Sequence, residues 1–170
     1  MIVFKLAGAG AILIASYMTA RNLHSNMKDR EKELEEIIFM FEEMKNNSFN
    51  NNDISALIEE SIQKTNFKTK QIFKKFVLLM HENKYTDCFE AWENAKDMMT
   101  PLSKEDTAAL DSFFKKSNDS TVSSFIEKTD EVIKRLADNL REIKENADKN
   151  KKIYYNSCIC IGILTVILLI

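Results

Sequence analysis

The chain has 170 residues, 26 of them acidic and 24 basic, for a formal net charge of -2. That balance gives no broad basic field to hold nucleic acid, and three cysteines are too few for a disulfide framework. All three glycines, Gly8, Gly10 and Gly162, fall in apolar end segments, so the middle has no glycine-rich loop to cradle a phosphate, which excludes a P-loop ATPase.

Residues 1–20 form the first element. Ile2 to Ala20 carries one charge, Lys5, and approaches the roughly 20 apolar residues a helix needs to cross a ~30 Å hydrocarbon core. It is predicted to be a transmembrane helix. A cleaved signal peptide is the rival, but Lys5 is a thin basic start and Met18-Thr19-Ala20 matches a cleavage site poorly. Ala7, Ala11, Ala15 and Thr19 recur every four residues with Gly8 beside them, a stripe that lets another transmembrane helix approach closely. The expected mate is the apolar segment at the other end of the chain, with a second copy next. Small residues are also simply common in spans.

Residues 21–152 read as helix throughout, because breakers are rare and apolar residues recur at three-and-four spacing. From about Leu23 to Lys45, a stripe of Leu34, Ile37, Ile38, Phe41 and Met44 faces inward. Glu31, Glu33, Glu35, Glu36, Glu42 and Glu43 crowd the opposite face, for water or a partner. After the Asn-rich stretch 46–52, Asn52 or Asp53 caps a short helix with Ile54, Leu57, Ile58 and Ile62 on one side. A third helix, about Thr69 to Glu82, carries Ile72, Phe73, Phe76, Val77, Leu79 and Met80 around enough of its girth to lie centrally. Thr86 is expected to cap a fourth, with Cys88, Phe89, Trp92, Ala95 and Met99 along it and Thr100-Pro101 ending it. Ser103-Lys104-Glu105-Asp106 reads as a capping arrangement for a fifth, with Leu110, Phe113 and Phe114 inward.

The last helix keeps its stripe through Val122, Phe125, Ile126, Thr129, Ile133, Leu136, Leu140, Ile143 and Ala147. No Gly or Pro separates it from residues 153–170, an uncharged apolar run predicted to be the second transmembrane helix. An unbroken helix of roughly 50 residues would measure about 75 Å; a bend at 146–152 is the alternative. Arg21, Lys28 and Arg30 follow the first span, and Lys149, Lys151 and Lys152 precede the second. Both clusters place the middle in the cytoplasm.

The expected fold is therefore all-α: a cytoplasmic helical bundle of about six helices flanked by N- and C-terminal transmembrane helices. His24 and His81 lack metal-spaced partners, so no metal, cofactor or catalytic group is expected. Cys158 and Cys160 point to different sides of the second span and read as apolar filling, with reversible acylation the minor option. The glutamate face reads either as solvated surface or, at Glu35, Glu36, Glu42 and Glu43, as a docking surface for a basic patch on a cytoplasmic partner.

The opening LAGAGAILIAS, the glutamate-rich KELEEIIFMFEEMK, and the tail from FFKKSNDS through KRLADNLREIKENADKNKKIYY into the closing apolar run resemble the stage III sporulation protein AB family. The resemblance covers nearly the full length and is carried by helix order and membrane placement. It departs at one corner, where Lys115-Lys116 stand in place of an expected Leu-Gly. It implies a part of the channel between mother cell and forespore, in the mother-cell membrane around the forespore. It also implies a helical domain similar to the inner-membrane platform proteins of type II secretion and type IV pilus systems. The implied partners are a secretion-type ATPase of the same set, other channel membrane proteins and the bilayer. The expected function is a non-enzymatic scaffold, and the alternative is a membrane-anchored adaptor or signalling subunit.

Overall fold

The computed structural model describes the backbone at residues 2–49, 53–82, 85, 87–96, 102–117 and 121–169. Within these, side chains are described except at 2–7, 9–13, 20, 23–24, 147–152, 154–155, 158, 162, 165–166 and 168–169. Six α-helices and no strand occur among the described residues: α1 Ile2–Asn47, α2 Ile54–Gln63, α3 Lys70–His81, α4 Cys88–Ala95, α5 Lys104–Lys115 and α6 Val122–Leu169. The fold is all-α. The chain divides into two units, one made of Met1–Asp29 with Glu142–Ile170 and the other of Arg30–Arg141.

The middle unit is built on the stripes. Leu34, Ile37, Phe41 and Met44 of α1 are fully buried, as is Met40, while Ile38 lies only half-buried at the stripe's edge. Rings join the helices in a continuous series. Phe41 meets Phe113 edge-on at 4.9 Å, Phe113 meets Phe114 at 5.2 Å, and Phe114 stacks on Trp92 at 4.2 Å. The series runs on from Trp92 to Phe73 at 5.6 Å and sideways from Phe113 to Phe125 at 6.0 Å. Offset and edge-on pairs of this kind contribute about 0.5–1.5 kcal/mol each beyond the area they bury. Trp92 keeps its polar edge satisfied, Nε1 donating to Asp111 at 2.7 Å.

Local chemistry sets the starts of the short helices. Asp53 caps α2, its carboxylate accepting from Ser55 N at 2.9 Å. Ser103 and Asp106 form a reciprocal capping box at α5. One expectation needs correction. Asp87 rather than Thr86 caps α4, through Phe89 N at 2.7 Å, because an ionised carboxylate is the stronger acceptor at a helix start. The fourth helix is described from Cys88 to Ala95, with Lys96 as its C-cap and the Lys96 ammonium drawn to Glu93 and Asp111; Met99 and Thr100-Pro101 lie outside the described residues. The corner at 118–120 lies outside the described residues.

In the end unit, no helix among the described residues is long and apolar enough to cross a membrane. The predicted spans, 1–20 and 153–170, lie largely on side chains outside the described set. Backbone α-helix continues across 20–21 within α1 and across 146–153 within α6.

Candidate functional site

The four glutamates singled out from sequence divide into two pairs. Glu35 and Glu42 are exposed; Glu36 and Glu43 are half-exposed and engaged within the unit. Glu36 Oε2 accepts from Asn66 N at 3.1 Å, and Glu43 Oε2 accepts from Lys64 Nζ at 2.5 Å. That carboxylate is the chief cause that raises the Lys64 ammonium above its ordinary pKa. Phe39 stands between Glu35 and Glu42 and is 42 % exposed. Positions 35, 39 and 42 share one helix face, so α1 presents an acidic ridge with an aromatic ring at its middle. Phe39 lies off the buried stripe, and that displacement is the signal in the sequence that marks it.

Glu33 is a correction. Placed by periodicity on the water-facing side, it is 3 % exposed. Its Oε1 accepts from Lys68 N, and its Oε2 from Thr69 N at 2.9 Å and Thr69 Oγ1 at 2.8 Å. Thr69 makes no side-chain cap of its own for α3, so α1 supplies the carboxylate at that helix start.

A groove of about 580 Å³ lies between α2 and α3, bordered by Glu59 and Ile62 on α2 and by Lys70, Lys74, Leu78 and His81 on α3. Leu78 is 55 % exposed. His81 ends α3 exposed, its Nε2 3.8 Å from Glu59 Oε2. Sequence reasoning passed over this feature, since a groove exists only once α2 and α3 lie side by side.

A second polar cluster is internal. The Asp106 side chain is fully buried and accepts four hydrogen bonds: from Arg30 Nε at 2.7 Å, Arg30 Nη2 at 3.0 Å, Ser103 N at 2.9 Å and Asn139 Nδ2 at 2.8 Å. Burial pushes this carboxyl up, but the Arg30, Ser103 and Asn139 donors together prevail and hold it below the ordinary value. With every partner inside the protein it ties α1, α5 and α6 together. Cys88 is buried, and burial first, then the carboxylates of Asp87 and Asp53, push its thiol up, the reverse of what a nucleophilic thiolate needs. Among the described residues no three metal-ligating side chains converge.

Of the small-residue positions, Gly8 and Ala15 are exposed, and a Cβ added at Gly8 would meet nothing within 4 Å. The side chains of Ala7 and Ala11 lie outside the described residues. Thr19 Oγ1 donates back to Ala15 O at 2.9 Å.

These features define an all-α protein whose described surface offers a charged ridge and a mixed groove. The chain matches the family described as stage III sporulation protein AB over residues 5–170, and it belongs to that family. No curated protein and no solved structure matches it.

Proposed function

We propose that the chain is a non-enzymatic membrane scaffold of a sporulation-specific, secretion-like channel between mother cell and forespore, docking a cytoplasmic ATPase on the acidic ridge of α1. Family membership over residues 5–170 carries this reading. Three further observations support it. The apolar runs at both ends have the length and composition of membrane spans, and each is flanked on its inner side by basic residues. Glu35 and Glu42 present exposed charge on an ordered helix, which suits a basic partner that is steered by complementary charge.

The test is a pull-down of the ATPase from sporulating cells. Glu35 and Glu42 are reversed because they are the exposed members of the four, whereas Glu36 and Glu43 are half-buried and hold Asn66 and Lys64. Capture is expected to fall about tenfold while circular dichroism stays helical, and to weaken further at high salt. Undiminished capture moves the docking site away from the ridge.

A further inference from the structure

The ridge and the groove carry matching registers of opposite chemistry. On α1 the sequence Glu35, Phe39, Glu42 has spacing i, i+4, i+7; on α3 the sequence Lys74, Leu78, His81 has the same spacing. Seven residues of helix rise about 10.5 Å, so both elements set two polar groups the same distance apart on either side of one apolar group. The apolar members are the large hydrophobics that the described parts of α1 and α3 within the middle unit leave exposed, Phe39 at 42 % and Leu78 at 55 %. Carboxylates flank the first. A lysine and a histidine flank the second, and Lys70 adds a further cation to the groove while Glu59 sits across from His81.

We infer that a second copy of this chain occupies the groove, seating its Phe39 against Leu78 and the apolar floor of Ile62 and Val77, with one of its carboxylates, Glu35 or Glu42, beside Lys74 and the other beside His81. Phe39 is not among the residues that line the groove of its own copy, so the pairing is between copies. The reversed orientation also brings a carboxylate to Lys74, so the charge match does not depend on direction. One copy offers a ridge and the next a groove, and such a head-to-tail contact propagates as a ring or a row. Burying the ring supplies affinity, and the charges set the register and reject a like-charged occupant.

The inference stands apart from the scaffold reading but uses the same ridge, so groove-side variants separate the two. Full-length chains carrying two different affinity tags are co-expressed and solubilised in mild detergent, and capture of one tag is scored for the other. Wild-type copies are expected to co-purify. Lys74→Glu and, separately, Leu78→Asp reduce co-purification about tenfold with an unchanged helical spectrum, and raise ATPase capture, because each ridge released by a neighbouring copy is open to the ATPase. Swapping the pair in every copy, with Lys74→Glu, Glu35→Lys and Glu42→Lys together in both tagged chains, restores co-purification, because no wild-type ridge or groove then remains and the reversed ridge fits the reversed groove. Absence of wild-type co-purification, undiminished co-purification in both groove variants, or failure of the swapped pair to recover overturns the inference.

Discussion

Asp106 shows how a buried charge is made tolerable. Its four donors come from Arg30, Ser103 and Asn139, and Arg30 Nη2 also donates to Ser103 Oγ at 2.8 Å, so Arg30 serves the pair rather than the carboxylate alone. Asp106→Asn strips the charge and takes from Arg30, still 27 % exposed, the buried carboxylate that both of its donating nitrogens reach. We expect a loss of about 3 kcal/mol in urea unfolding, at the low end for a broken buried pair because water still reaches the guanidinium. The pH dependence has a definite sign. The native carboxyl lies below its ordinary value, so its contribution is complete above about pH 4 and is lost as pH falls through the lowered native value. The wild type should therefore lose stability more steeply below pH 4 than Asp106→Asn, and parallel curves would remove the pair from the account. Ser61 is the opposite case: its Oγ is buried with no hydrogen-bond partner among the described residues. Removing an unsatisfied buried hydroxyl recovers its desolvation cost, so Ser61→Ala should raise the unfolding free energy by about 1 kcal/mol.

At the scale of single helices, the starts of α2, α4 and α5 are capped from within a few residues, by Asp53, Asp87 and Ser103. Helix α3 is different. Thr69 makes no side-chain cap, and the acceptor is Glu33, 36 residues earlier on α1. A carboxylate at a helix N-terminus satisfies orphan N–H groups and meets the positive end of the helix dipole. Glu33→Ala leaves two backbone N–H groups and the Thr69 hydroxyl without this acceptor, at an expected cost of about 2–3 kcal/mol. Amide exchange at Lys68 and Thr69 should rise first, ahead of α5. For comparison, Ser103→Ala removes a local cap and should cost about 1 kcal/mol, with loss confined to the first turn of α5. Equal fraying of α3 and α5 in Glu33→Ala would show that the carboxylate acts on general stability and not on that start.

For the whole molecule, the proposed scaffold requires the middle unit to face the cytoplasm from a membrane held at both ends of the chain. A cysteine introduced at the exposed Lys134, in a chain whose three native cysteines are alanine, should react with a membrane-impermeant maleimide only after the cells are permeabilised. Labelling on intact cells would place the middle unit on the far side, and the cytoplasmic ATPase would then have no access to the ridge.

Much of the molecule follows from local pattern. The all-α class, the buried stripe of α1, the inward Leu110, Phe113 and Phe114, and the capping box at Ser103 and Asp106 are visible in the chain. Each depends on residues within a turn or two of one another, which is the range that helical periodicity and capping report. The family is legible on the same terms, as an order of helices between apolar ends. The fate of particular polar side chains is not. Glu33 and Glu35 stand two residues apart on the same helix, yet one is buried on the backbone of 68–69 and the other is exposed. The choice is made by where a distant connection lands. Likewise Asp106 becomes a tie because Arg30, 76 residues before it, and Asn139, 33 after it, converge on its oxygens, and the groove exists because α2 and α3 lie side by side. Hydrophobic spacing tells which side of a helix seeks cover; only packing decides which neighbour covers it, and therefore which charges stay exposed to meet a partner.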